Sequence, residues 1–353
     1  MSGRAWARFG GRNATGLLDV TSDPEALDSS GWWAVVVPYD GTAVFARFAD
    51  VRTGPRPAGS WSGPGRTGWT SSMSREEYVA AVERVREHIA DGTVYQANVC
   101  RVLSAPLPDR ARADVAGLVA LLEEGNPAPY AGAVHLPEDA HPAVPAGGVS
   151  IVTASPELFL RRDGRAVESG PIKGTGRTPA DLSEKDRAEN VMIVDLVRHD
   201  LSAVCRTGTV TVPRLLAVEA HPGLVHLVST VHGELRDGAG WADLLAAAFP
   251  PGSVTGAPKS SALRVIEEVE RAPRGPYCGA VGWVDADRGT AELAVAIRTF
   301  WVHDGVVRFG TGAGITWGSD ALAEWDETEL KASVLLAVAG RATGAAAWQG
   351  DAL

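Results

Sequence analysis

Cysteine is scarce in this chain, and what there is cannot form a framework. Cys100, Cys205 and Cys278 lie far apart, make no CxxC pair and leave an odd number among 353 residues. That argues against a disulfide scaffold and a cysteine-based zinc site, and the three read as small core residues. Long apolar runs are also missing. No stretch reaches the roughly 18 residues of a membrane helix, and Met1-Ser2-Gly3-Arg4-Ala5-Trp6 lacks the apolar centre of a signal peptide. The expectation is a cytoplasmic enzyme with no membrane partner. Long basic runs are absent as well, and the formal net charge is -10, which argues against nucleic acid as a partner. An anionic substrate would need local cations.

What is present suffices for a core. With 353 residues, 45% of them hydrophobic, the chain is long enough for one large domain or two smaller ones, and disorder does not fit. Trp32-Trp33-Ala34-Val35-Val36-Val37 and Ala43-Val44-Phe45-Ala46 flank a turn at Asp40-Gly41, as in a β-hairpin. A Gly/Pro/Ser-rich stretch from Gly54 to Gly68 follows and is expected to be flexible. Ser74 and Glu77 then have capping-box spacing, Tyr78, Val82, Val85 and Ile89 recur at helical intervals, and Gly92 supplies a stop. Thr93 to Val102 reads as a strand, and a Pro/Gly-rich loop from Leu136 to Gly148 precedes another at Val149 to Ala154. There is no internal repeat and no low-complexity tract.

Lys173 stands out because Glu168-Ser169-Gly170-Pro171-Ile172-Lys173-Gly174-Thr175 holds a primary amine between two backbone-shaping residues. It is a candidate nucleophile, although its local segment alone is equally that of a solvated surface amine. In Asp186 to Leu196, Glu189 shares a helical face with Ile193 and Leu196. A carboxylate there needs a cation, unless it is only a helix-start glutamate favoured by the dipole. Glu324, Glu327 and Lys331 fall on one helical stripe, either a solvated i,i+4 pair or two carboxylates around a cation. Oxygen donors without histidine or cysteine nearby suit Mg²⁺. Phe249-Pro250-Pro251-Gly252-Ser253-Val254-Thr255-Gly256-Ala257-Pro258-Lys259 opens a further helix, and Gly310-Thr311-Gly312-Ala313-Gly314 precedes the acidic one. Backbone N–H groups in such segments can form a nest for a carboxylate. Arg298 could clamp another carboxylate in bidentate fashion. Together these residues suggest a Mg²⁺ site beside a polycarboxylate pocket faced by a lysine.

The order of these segments resembles the chorismate-utilising enzymes: anthranilate synthase component I, aminodeoxychorismate synthase component I, and the isochorismate and salicylate synthases. The matching stretches are Tyr95 to Asn98, Ser155-Pro156-Glu157, Pro171 to Thr175, Asp186 to Asn190, His226 to Ser229, Ser253 to Lys259, Tyr277 to Gly282, Ala296 to Thr299 and Glu324 to Thr328, colinear from about Ser74 to Leu336. Leu17-Leu18-Asp19 more weakly resembles the Leu-Leu-Glu-Ser segment that lines a tryptophan cavity in the amine-transferring members. Tryptophan binding is not expected with Asp19-Val20 there.

The resemblance implies an α+β fold of two packed, mostly antiparallel sheets with helices outside. It also implies a β-rich region over 1–70 packing on the same body as a catalytic region over 71–345. Water-adding members have a lysine base where this chain has Gln96, which points to ammonia as nucleophile. Lysine at 173, where anthranilate synthases usually have alanine, points to the aminodeoxychorismate branch, which makes 4-amino-4-deoxychorismate for p-aminobenzoate and folate.

In the implied mechanism Mg²⁺, held by Glu189, Glu324 and Glu327, anchors a carboxylate of chorismate. Tyr277, Arg298, Lys331 and the Gly312-Ala313-Gly314 backbone bind its acid groups, with Gly256 also at the substrate. Lys173 attacks ring C2 as the C4 hydroxyl leaves, and ammonia then adds at C4 and expels the lysine. Glu157 protonates the leaving hydroxyl and later serves as base, while His226 and Thr255 support the leaving group. No cysteine lies in a glutaminase-like turn, so a separate glutamine amidotransferase subunit, forming a heterodimer, is the expected ammonia source.

Four positions depart from the family pattern: Gly170 for an arginine or similar residue, Pro251 for a glycine, His199 for the asparagine of Arg-Asn-Asp-Leu, and Ala313 for a glycine. None removes a proposed catalytic group, and they leave room for a specialised pathway such as antibiotic biosynthesis. Two alternatives stand beside the aminodeoxychorismate branch: anthranilate synthase component I, and a non-catalytic chorismate-binding homologue.

Overall fold

The computed structural model describes residues 4–109, 114–176, 178–221 and 224–343. Met1 to Gly3 and the expected end of the catalytic region at residue 345 lie outside the described residues. The fold is α+β, and every strand pairing among the described residues is antiparallel.

The all-apolar strand Trp32–Val37 shows how the layers form. Six buried residues in a row cannot face water on either side. Trp33 and Val35 point into a core shared with the helices Glu184–Ser202 and Trp241–Ala248. Trp32, Ala34 and Val36 point the other way, onto Val134 and Ile151 of a second layer. The outer face of that second layer, with Ala133, Val152 and Phe309, packs on the helices Val115–Gly125 and Ala321–Ala339. One continuous antiparallel sheet among the described residues thus folds over into two packed layers around this core, with helices outside.

The N-terminal strands join the two layers of the sheet. Trp32–Val37 pairs with Ala280–Asp285, and Trp6–Phe9 pairs with Tyr130–Leu136. Their hydrophobic faces are completed by strands more than a hundred residues away, so the region before residue 70 shares its core with the rest.

The helix Arg75–Ala90 starts at Ser74, whose hydroxyl accepts from the Glu77 N–H while the Glu77 carboxylate accepts from the Ser74 N–H at 2.8 Å. The reciprocal bonds satisfy two otherwise orphaned donors.

The glycine-rich stretch after Gly54 behaves differently from expectation. It forms a strap across two helices, with Trp61 buried and its indole N–H donating to the Ala339 carbonyl at 2.7 Å. Ser62 bridges Ala342, and the Asp114 N–H donates to Ser60 O. A side chain at Gly63 would collide with the Ala339 carbonyl, so this glycine serves close approach and not flexibility. No helix among the described residues is long and apolar enough to cross a membrane.

Candidate active site

The floor of the site is an antiparallel pair, Gln96–Pro106 against Val306–Ile315, in which Gly312 faces Cys100 and Gly314 faces Asn98. The anion nest expected at Gly310 to Gly314 is not formed. These residues are extended strand, paired beyond Phe309 only with Gln96–Pro106, and Gly312 O accepts from Lys331 Nζ. Alternate glycines instead remove side chains from one face. A side chain at Gly310 would collide with the Tyr277 ring, and a Cβ on Gly314 would lie 2.6 Å from Gln96 Nε2 and 3.0 Å from Lys173 Nζ. The cleared face is where the lysine amine rests.

Lys173 is delivered there by an irregularity. The strand Ile172–Gly176 pairs Ile172 with Val228 and Thr175 with His226, so three steps on one strand match two on the other. Such a bulge re-aims the intervening side chains. Gly174 supplies the left-handed φ of +82°, and any Cβ there would sit 2.8 Å from that of Asp186. Burial first, and the nearby Lys331, hold the Lys173 amine below its ordinary range, against the pull of Glu189, Glu157 and Glu327. A lysine so placed has more of its nucleophilic neutral form near neutral pH.

Glu157 faces it from the turn after the strand Val149–Ser155. Burial raises its carboxyl to about 7, against a hydrogen bond from Ser253, the charge of Lys173 and the Ile172 N–H, which lies 3.5 Å away. A carboxyl that keeps its proton near neutrality can act as a general acid.

The three expected metal ligands surround the same space. The helix Glu184–Ser202 begins with a capping box at Ser183 and Asp186 and carries Glu189; Ala321–Ala339, capped by Asp320, carries Glu324 and Glu327. Lys185 Nζ lies 3.8 Å from Glu189 and 3.4 Å from Glu324, while Lys331 Nζ lies 2.6 Å from Glu327 and donates to Gly312 O at 3.2 Å. Burial raises the Glu189 carboxyl, with Glu324 adding to the rise. Among the described residues no three His, Cys, Asp or Glu side chains stand together as a ready ligand group. The donors are all carboxylate oxygens, and two are already drawn to one cation. That chemistry fits Mg²⁺, which takes one or two carboxylates and fills its remaining positions with water or substrate oxygens.

Other expected residues take different places. Thr255 is buried and its hydroxyl donates to Pro251 O at 3.0 Å. Gly256 pairs with Ala97 and packs on the Gln96 carbonyl, where no side chain fits. His226 is buried opposite Thr175. Tyr277 is buried beneath Gly310, with burial raising its hydroxyl well above the usual range. Ala313 is buried in the apolar cluster around Tyr78 and Val82. Arg298, at φ +52°, is half-buried; its carbonyl accepts from the Ala154 N–H, its guanidinium has no hydrogen-bond or ion-pair partner among the described residues, and burial alone lowers that group. An uncompensated cation in such a position suits an anionic ligand.

Two contributors escaped the sequence reading. Lys185 was detectable, since it lies one turn before Glu189. Ser253 lies in a family-matching stretch, but nothing local pairs it with Glu157, which is nearly a hundred residues away.

The family model described as chorismate binding enzyme matches residues 42–337. Anthranilate synthase component 1 of Streptomyces coelicolor is 40% identical over 304 residues, which are 83% of this chain and 57% of that protein. The 2-amino-4-deoxychorismate synthase of Streptomyces globisporus is 36% identical over 323 residues, 87% of this chain and 61% of that one. The chain therefore spans little more than half the length of the curated relatives it matches. Among solved structures, anthranilate synthase component I from Streptococcus pneumoniae superposes with a TM-score of 0.74 at 22% identity, covering 95% of this chain and 93% of that chain, a likeness of fold. A match running from the N-terminal hairpin to the acidic helix takes in Glu157, Lys173 and all three glutamates, and it makes this chain a member of the chorismate-binding enzyme family.

Proposed function

We propose that this protein transfers ammonia to C4 of chorismate, giving 4-amino-4-deoxychorismate, with Lys173 as covalent nucleophile. The observation that carries this is the placement of the Lys173 amine against Gly314, half-buried and held toward its neutral form, with a protonatable Glu157 beside it. The amine attacks ring C2, and the C2–N bond forms as the C4–O bond breaks. Glu157 gives its proton to the departing hydroxyl, which leaves as water. Ammonia then bonds to C4 while lysine leaves C2 with its electron pair. Arg298 and Lys331 bind and orient the carboxylates of the substrate. Glu189, Glu324 and Glu327 would hold Mg²⁺, which supplies positive charge for a substrate carboxylate. Ammonia would come from a glutamine amidotransferase subunit.

A second outcome, anthranilate and pyruvate from the same substrates, is favoured by the 40% identity to anthranilate synthase component 1. The chain is tested alone with Mg²⁺, chorismate and an ammonium salt at alkaline pH. A non-fluorescent product with the mass of aminodeoxychorismate supports the proposal; a fluorescent one with loss of pyruvate supports anthranilate formation. No turnover by folded protein defeats both. Without ammonia, intact-mass analysis is expected to find an adduct that Lys173→Ala lacks.

A further inference from the structure

Glu157 also lines a small cavity. This cavity of about 20 Å³ is lined by Glu157, Ser169, Val197, Asp200, Gly252 and Ser253 among others, enough for one water molecule, which needs roughly 10–15 Å³. Asp200 has no part in the chemistry above. It is 7% exposed, near the end of the helix Glu184–Ser202, and its Oδ2 accepts from Lys259 Nζ at 2.6 Å. Lys259 also donates to Ala248 O at 3.1 Å, so this pair ties the helix to the loop carrying Ser253. Asp200 Oδ1 lies 3.6 Å from Nδ1 of His199, whose side chain is 84% exposed. Glu157, the cavity, Asp200 and His199 therefore lie in succession from the buried acid to solvent.

The proposed amine transfer gives such a route a use. Neutral ammonia replaces hydroxide, and hydroxide leaves as water only by taking a proton from Glu157. A product released as an ammonium ion, and not deprotonated by Glu157 in the base role that the resemblance implies, returns none of it. Each turnover then leaves Glu157 ionised and one proton short, and its face toward substrate is occupied until product leaves.

We infer that Asp200, with a water molecule in the cavity and His199 at the surface, forms the proton path that reloads Glu157 from solvent. The inference rests on the proposed role of Glu157 as acid. The charged groups that bear on the path are Lys173 at Glu157, and Lys259 and His199 at Asp200. Burial raises the Asp200 carboxyl, and Lys259 and then His199 oppose that rise, so it can accept as well as pass a proton. His199 stands where the family pattern has asparagine, so the outermost step belongs to this chain.

The test uses the full chain with Mg²⁺, chorismate and an ammonium salt. Asp200→Asn is expected to lower kcat about tenfold or more with KM for chorismate unchanged, and imidazole buffer is expected to restore part of the loss. Because Asp200→Asn leaves the part-buried Lys259 ammonium without its carboxylate, Asp200→Asn/Lys259→Met is the second variant and should behave alike. His199→Asn should lower kcat a few-fold, again restored by imidazole. Independently of turnover, and with aminodeoxychorismate bound so that the face toward substrate is occupied, the infrared carboxyl band assigned by its loss in Glu157→Gln should appear more slowly after an alkaline-to-acid pH jump in the Asp200 variants. A folded double variant whose Glu157 gains its proton at the wild-type rate overturns the path. A wild type that fails to turn over defeats the amine-transfer proposal instead, and the infrared arm still decides the path.

Discussion

Gly314 and Lys173 make a contact that leaves no room for a side chain: a Cβ on Gly314 would stand 3.0 Å from Lys173 Nζ and 2.6 Å from Gln96 Nε2. Both neighbours are far ends of flexible side chains, so a methyl group would displace them more readily than it would unfold the strand. Gly314→Ala is therefore expected to melt close to wild type while losing about 100-fold in kcat/KM, the usual consequence of moving a reacting group by roughly 1 Å. Wild-type kinetics in Gly314→Ala would show that the lysine does not work from this position.

The pH profile follows from the same pair of groups. In the proposed mechanism the productive form has Lys173 neutral and Glu157 protonated, and rising pH supplies the first while removing the second. A bell-shaped kcat/KM is expected, with one limb near the Glu157 value of about 7. Glu157→Gln should abolish that limb along with most of the activity. The stability effect has a definite sign: a carboxyl raised in the folded state stabilises fully below its unfolded pKa, and that contribution is lost as pH rises through the folded value. From 4.5 to about 7 this amounts to roughly 3 kcal/mol. Urea unfolding of Glu157→Gln should show a gain over wild type at alkaline pH that vanishes at acid pH; equal pH dependence of the two proteins would contradict it.

Lys185 stands between two of the glutamates proposed to hold Mg²⁺, 3.8 Å from Glu189 and 3.4 Å from Glu324. Removing its charge leaves neighbouring carboxylates that repel. Lys185→Met is expected to bind Mg²⁺ several-fold more tightly by calorimetry and to be less stable without it. Unchanged Mg²⁺ affinity would mean that the ion is held elsewhere.

The strap carrying Trp61 makes a prediction about stability alone. Its indole is 1% exposed and bonded to Ala339 O, at the end of the helix that bears Glu324 and Glu327. Trp61→Ala is expected to cost about 3–5 kcal/mol in chemical denaturation. A loss below 1 kcal/mol would return the stretch from Gly54 to Gly68 to the status of a flexible linker.

Much of the site is legible in the sequence, for a physical reason. Helix starts at Ser74 and the hairpin from Trp32 are set by hydrogen bonds and periodicities that close within a few residues. The segment around Lys173 is likewise a local pattern, and it resembled its family as written. The glycines at 310, 312 and 314 were misjudged because a nest and a cleared strand face need the same residue type. Only pairing with Gln96–Pro106 decides between them. The strap was misjudged because glycine reads as freedom until the carbonyl that excludes a side chain is in place.

The sequence by itself determined the family, the lysine and the acidic residues, since those are identities at fixed spacings. Tertiary structure alone decided their chemistry. The amine of Lys173 is held down and the carboxyl of Glu157 held up by burial first, and burial is a property of the assembled sheets and helices. Glu157, Lys173, Glu189 and Lys331 come from four separate segments. Charges act through space, so their mutual influence exists only once the fold has brought those segments together.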